Sequence, residues 1–313
     1  MSNRILITGG AGYVGSNLVP LLRDRCIVYD NLLYTNDYFE DVEFVRADIN
    51  DCKTLEKYLK KVDTVVWLAA IVGDAACNVN PRKALDTNVE AVRFLAENFD
   101  GKIVFLSSCS AYGVSSEIAT EESPLNPQSL YAETKIEGEK CLRGKNAYVL
   151  RLGTLHGPSK RMRFDLVVNV LTMHAIVNKR IEVFGGHQYR PLLSVKDIST
   201  FICRLIDEKL PTGVYNVASE NLSILEVGEK VKKIIPDIEM EIIGTQFEDK
   251  RNYRVDSSRA EKILTFTPHH LVDDSISEIS ELIKSGRIKS TFEFKYANLA
   301  SLSNSEDYKN YGK

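Results

Sequence analysis

The 313-residue sequence predicts a doubly wound α/β fold: a parallel sheet with helices on both faces, plus a smaller mixed α/β lid. Two observations carry this reading. Short apolar runs and segments of helical spacing alternate through the first half, the pattern of strands joined by helical crossovers. A glycine-rich turn, Gly9, Gly10, Gly12 and Gly15, joins the first apolar run to the first helical segment.

The elements follow in order. Strands are expected near 4–8, 26–30, 42–47, 63–69, 102–107 and 147–152, and helices near 14–24, 51–61, 81–98 and 130–144. The second half is less regular. It predicts a helix over 163–178, a strand at 181–184, a helix over 195–207 and a strand at 213–217. A helix from Ser223 to Ile235 follows, with Glu226 at capping-box spacing, then a strand at 239–243 and helices at 257–264 and 271–285. We read 1–150 as the nucleotide-binding domain, with 188–212 returning to it. Residues 151–187 and 213–286 form the lid, and 287–313 a polar tail that wraps a neighbour or is partly disordered.

Apolar content of 44% and charged content of 27% suit a globular chain able to bury a sizeable core. A net charge of −3 gives no electrostatic case for nucleic acid or a membrane surface as partner. The longest central apolar run, 65–72, is too short to span a bilayer. The first strand begins almost at once, so no signal peptide is expected. Six scattered cysteines suit reduced thiols and a cytoplasmic setting. Five histidines without ligand spacing predict no metal.

The glycine turn sits between a strand and a helix, which makes it a dinucleotide fingerprint. One glycine permits the tight turn, one the approach of the pyrophosphate, and one close packing of helix on strand. The second strand ends in Asp30, placed to hold ribose hydroxyls and repel a 2′-phosphate, and no arginine follows in 31–34; NAD is therefore the expected cofactor. Asp48, ending the third strand, lies either at the adenine edge or at a helix N-cap. Tyr131 and Lys135, four apart, share one helix face. They follow a strand that ends at Ser107-Ser108. A nearby ammonium and an oxidised nicotinamide would lower the phenol pKa from about 10, letting Tyr131 take a proton while Ser108 holds the same oxygen.

On these residues the chain resembles the extended short-chain dehydrogenase/reductases that act on nucleotide-diphosphate sugars. The resemblance rests on 8–15, on Val66-Trp67-Leu68-Ala69-Ala70, on the helix asparagine in Asp86-Thr-Asn88-Val, on 107–113, and on Tyr131 with Lys135. It implies a Rossmann domain and a catalytic trio of Ser108, Tyr131 and Lys135. It implies NAD contacts from Gly9, Gly12, Tyr13, Val14, Gly15, Asp30, Asn31, Asp48, Ile49, Leu68, Ala69 and Ala70, with Tyr131 and Lys135. It implies substrate contacts from Ser108, Cys109, Ser110, Tyr131, Arg161, Arg163, Asn169, Arg190 and Arg251, the arginines gripping a diphosphate. It also implies a homodimer through 86–99 and 130–144.

The family's 4,6-dehydratases carry Asp-Glu where this chain has Cys109-Ser110, so dehydration is not expected. The expected reaction is NAD-dependent oxidation of a sugar C4 hydroxyl to a 4-keto sugar. Release of that product makes a 4-dehydrogenase, as in the GDP-heptose 4-dehydrogenases of capsule polysaccharide synthesis that the chain is similar to. Re-reduction after the sugar turns over makes a 4-epimerase.

Overall fold

The computed structural model describes residues 4–34, 39–244, 251–288, 290–309 and 311. Its centre is a seven-stranded parallel sheet. From one edge the strands are Gly213–Val217, Ala147–Leu152, Lys102–Ser108, Thr64–Trp67, Ile5–Thr8, Cys26–Asp30 and Glu43–Arg46. The chain starts in Ile5–Thr8, builds two strands to one side, then crosses to Thr64–Trp67 on the other. Ligands on such sheets bind beyond the strand ends at this reversal.

The alternation of side chains explains the apolar runs. Ile5 and Ile7 point to one face with Val28, Val66, Val104 and Leu150, under helices Gly15–Leu22 and Val195–Asp207. Leu6 points to the other with Ile27, Val65, Ile103 and Val149, under Cys52–Leu59 and Ala91–Asn98. A strand covered on both faces has no polar side, so its sequence reads as continuously apolar.

Strand Gly213–Val217, read above as lid, pairs in parallel with Ala147–Leu152 and closes the large sheet. Outside the large sheet, strand Tyr189–Ser194, in the span read above as returning to the first domain, pairs with Thr154–His156 and Glu220–Ser223, from the span read as lid, and Arg180–Phe184 pairs with Glu239–Ile243. Asn252–Val255 pairs with Val114–Ala119. Five of these short strands, at 114, 154, 189, 220 and 252, and helix Asp74–Val79 were not expected. They are too short or too polar for periodicity to reveal. Helix Ile224–Ile234 has the capping box, Ser223 and Glu226 satisfying each other's backbone N–H.

Two helices differ from expectation. The span 81–98 is Pro81–Leu85 and Ala91–Asn98 joined by a π-helical turn over Asp86–Glu90; such turns mark sites where a side chain must be re-aimed. The helix expected from 163 begins at Val167, because Asp165 holds the Arg163 guanidinium by two 2.9 Å hydrogen bonds. The tail, apart from residues 289, 310, 312 and 313, which lie outside the described residues, folds onto its own chain. Leu302 and Tyr308 bury against Ile71, Ala76, Cys77 and Ala84.

A Cβ on Gly15 would lie 2.2 Å from the Gly10 carbonyl oxygen, so helix and turn pack closer than any other residue allows. Gly15→Ala should lower the denaturation free energy by about 1–3 kcal/mol and weaken NAD+ binding. Denaturant titration and NAD+ titration check this; unchanged values in both would show that the close approach is dispensable.

Candidate active site

The sheet reversal opens into a cleft of about 1620 Å³. Drug-sized pockets measure about 300–1,000 Å³, so this one has room for a dinucleotide and a second ligand. One floor is the glycine turn. Gly9 has φ +70°, and a Cβ there would stand 2.7 Å from the Ala69 nitrogen, so the turn meets the Leu68–Ala70 loop backbone to backbone. Gly9, Gly12, Tyr13, Val14, Leu68, Ala69 and Ala70 line the cleft. Gly15 does not; it acts behind the wall as the packing contact above.

The acidic groups are held open for a ligand. Asp30 accepts from the Ala11 N–H at 3.0 Å and the Leu32 N–H at 2.7 Å. Burial raises its pKa, opposed by those two N–H groups and by Arg161. At Asp48, burial opposes the charge, but the Asn50 N–H, Lys83 and Asn31 outweigh it and hold the carboxyl below its ordinary range. Lys83 Nζ is 3.0 Å away and Asn31 Nδ2 3.2 Å. The adjacent helix is capped by Asp51, which accepts from the Thr54 N–H; Asp48, with Ile49 and Asn31, lines the cleft instead. Backbone N–H groups at a helix start, a carboxylate at the second strand and a long cleft between them fit NAD.

Ser108, Tyr131 and Lys135, the trio expected to be catalytic, share one wall. Helix Leu130–Cys141 is capped by Ser129, whose hydroxyl accepts from the Ala132 N–H and donates to Asp74. Lys135 and Tyr131 project from it, with Lys135 Nζ 4.9 Å from the Phe105 ring. Asn88, in the π-helical turn, takes the Ile71 N–H on its oxygen at 2.8 Å and donates to the Ile71 carbonyl and Thr134 Oγ1. It thereby ties the loop after Ala70 to the helix between Tyr131 and Lys135.

The charges differ from the sequence expectation. Burial lowers the Lys135 pKa to about 8, opposed by Cys77 and Glu139. Burial raises Tyr131, and Cys77 adds to this, while Arg163 and a hydrogen bond with Ser108 act the other way. The group that favours the phenolate most in the protein alone is Arg163, where Lys135 was expected.

Three substrate assignments change. Cys109 is fully buried, its thiol donating to the Arg151 carbonyl at 3.1 Å; it lies behind the wall that Ser108 and Ser110 line. Asn169 is also fully buried. It accepts from the Gly157 N–H and donates to Tyr13 Oη at 3.1 Å, so it braces the cofactor loop. Arg161 lies 4.8 Å from the Tyr34 ring and close enough to Asp30 to influence it, on the cofactor half of the cleft. Its Nε and Nη2 are buried without hydrogen-bond partners, and burial, with Arg163 beside it, lowers its pKa to about 10.

Arg161, Arg163, Arg190 and Arg251 all line the cleft. Arg190 donates to the carbonyls of Tyr189 and Arg251, and Arg251 pairs with Asp74 at 3.1 Å. Asp74, Cys77, Asp165 and Asn298 were missed. Asp165 could have been found as the acid two residues from Arg163; the others carry no motif.

A family model described as the NAD dependent epimerase/dehydratase family matches residues 5–218. Over 309 residues the chain is 28% identical to a UDP-glucose 4-epimerase of Halalkalibacterium halodurans, spanning 85% of this chain and 91% of that one. It is 27% identical to UDP-glucuronic acid decarboxylase 6 of Arabidopsis thaliana, over 85% of this chain and 84% of that one. The solved UDP-glucose 4-epimerase of Thermus thermophilus, a complex with NAD, shares the fold at a TM-score of 0.79 and 22% identity. It covers 90% of this chain and 99% of its own, which leaves about a tenth of this chain outside the likeness. The glycine cradle, the acids at the strand ends and the match over 5–218 make one conclusion: this chain belongs to the NAD dependent epimerase/dehydratase family and is an NAD-dependent enzyme.

Proposed function

We propose that this enzyme oxidises the C4 hydroxyl of a nucleotide-diphosphate sugar to the 4-keto sugar. The observation that carries the reading is one wall bearing Ser108, Tyr131 and Lys135, in a cleft whose lid side bears Arg163, Arg190 and Arg251. Guanidinium forks suit diphosphate oxygens, and a phenol beside a hydroxyl suits removal of a proton from an alcohol. Bound NAD+ supplies the hydride acceptor and a positive charge.

The residues divide the work. Tyr131 Oη takes the proton of the C4 hydroxyl. Ser108 Oγ, steadied as acceptor of the Ser110 N–H at 3.1 Å, holds the same oxygen. Lys135 and Arg163 favour the phenolate against the burial that opposes it. Dehydration is disfavoured: the positions of the dehydratase acid and base hold a thiol turned away from the cleft and a hydroxyl.

Within this class the sequence resemblance favours a 4-dehydrogenase of a GDP-heptose in capsule polysaccharide synthesis, working in the cytoplasm as a homodimer. The 4-epimerase is the second reading. It is favoured by the likeness to UDP-glucose 4-epimerases. The two separate on incubation with GDP-heptose and UDP-glucose, with and without an external keto acceptor. A 4-keto sugar formed in step with acceptor is expected. Stereoinverted sugar without acceptor would establish the epimerase and refute the dehydrogenase.

Tyr131→Phe removes only the titrating hydroxyl. It should cut turnover by about 10²–10⁴-fold and leave NAD+ binding unchanged; retained turnover would exclude Tyr131 as the base. Lys135 makes a test of opposite sign. Its folded pKa of about 8 lies below the ordinary 10.5. Between these values the unfolded chain holds a proton that the folded chain lacks, so stability rises with pH across that window and is lowest below it. Lys135→Met should abolish this slope, melt no lower than wild type at pH 7, and lose turnover by about 10²-fold or more. A variant markedly less stable at pH 7 would show that the ammonium holds the fold.

A further inference from the structure

The C-terminal tail crosses the cleft. The Tyr296 carbonyl accepts from the Phe164 N–H at 2.8 Å, and the two rings meet edge to face at 5.5 Å. Helix Asn298–Ser303 then packs on helix Asp74–Val79. Farther on, Asn80 donates to the carbonyls of Tyr308 and Tyr311, and Lys83 lies 4.1 Å from the Tyr311 ring, beside Asp48. The strap thus runs from the lid, past the reacting end, to the adenine edge.

Asn298 sits where the strap meets the cleft, which it lines with Leu299. It is 4% exposed. Its N–H donates to Asp165 Oδ2 at 3.0 Å, and its Nδ2 donates to the Val72 carbonyl at 2.9 Å. That second bond fixes the amide orientation, because only the nitrogen can donate. The Oδ1 is therefore an acceptor without choice, and it is buried with no hydrogen-bond partner among the described residues. Leaving such an oxygen unsatisfied costs about 1–3 kcal/mol. An orphan acceptor on a cleft wall is relieved by a donor on the ligand.

We propose that Asn298 Oδ1 accepts a hydrogen bond from a hydroxyl of the bound sugar, making the tail strap a determinant of sugar specificity. This rests on the nucleotide-sugar reading above. The placement selects the sugar: Asn298 is anchored to Val72, two residues beyond the Ala70 end of the nicotinamide-side loop, and to Asp165, which carries Arg163 beside Tyr131. A sugar presenting hydrogen, or an ether oxygen, at that place leaves the acceptor unpaired and binds less well.

The test titrates wild type and Asn298→Ala with NAD+, with UDP and GDP, and with UDP-glucose, UDP-galactose, GDP-mannose and GDP-heptose. The expected result is about ten-fold weaker binding of the nucleotide sugar that wild type prefers, with UDP, GDP and NAD+ affinities unchanged. Asn298→Asp, whose carboxylate has no donor for the Val72 carbonyl, should not recover the loss. If Asn298→Ala does not fold, Asn298→Ser replaces it, since its hydroxyl can still serve the Val72 carbonyl. Equal affinity for the sugar, or a matching loss for UDP, GDP or NAD+, would overturn the proposal and leave the proposed reaction standing. A wild type that binds NAD+ but none of the nucleotide sugars would overturn both.

Discussion

The site depends on one buried ion pair. Arg151, next to the end of strand Ala147–Leu152, donates to both oxygens of Glu139, one turn beyond Lys135 on helix Leu130–Cys141, at 2.7–3.2 Å. Ser107 donates to the same carboxylate, and the other guanidinium arm reaches Tyr112 Oη at 3.0 Å, which donates to Asn216 of the edge strand. Burial alone would lower the Arg151 pKa, but Glu139 more than offsets it and holds the cation firmly charged. Helix and three strands are thereby held in one register. Ser107 is the neighbour of Ser108, and Glu139 shares a helix with Tyr131 and Lys135, so the pair fixes the spacing of the trio. Removing one partner of such a pair leaves an uncompensated buried charge and costs about 3–5 kcal/mol, which makes the register costly to relax.

Around that frame the cleft carries charges whose partners are incomplete. Arg161 has two buried donors without acceptors, Asn298 an acceptor without a donor, and Lys135 a cation that burial disfavours. Each is unfavourable in the protein alone and favourable when a ligand of the right polarity fills the cleft. Arg163 differs, being already oriented by Asp165. The lid thus presents one fixed guanidinium toward the reacting end and one unsatisfied guanidinium toward the cofactor.

The nucleotide-binding half was legible because local chemistry dictates it. Ile5–Thr8, the glycine turn and Asp30 are consecutive along the chain, and each reports its own geometry. That Ser108, Tyr131 and Lys135 would meet at one cleft was legible for the same reason: Ser108 ends a strand, and Tyr131 and Lys135 share a helix face. What stayed hidden depends on contacts distant in sequence. Nothing local to Gly213–Val217 separates a lid strand from an edge strand of the main sheet. Asn169 looks like a ligand residue until Tyr13 and Gly157 are seen on either side of it. Cys109 follows Ser108, which lines the cleft, yet the tight turn after Ser108 directs its thiol inward. Asn298 acquires meaning only because the tail folds 226 residues back onto Val72.

The central claim is that this wall removes a hydride from C4 of a sugar. The direct measurement is acid quenching, during turnover, of NAD+-loaded enzyme supplied with nucleotide sugars deuterated at C4, followed by mass analysis of the nicotinamide. The account predicts deuterium in the nicotinamide pool before product accumulates, and none in Tyr131→Phe. Sugar consumed while the nicotinamide stays unlabelled would contradict it.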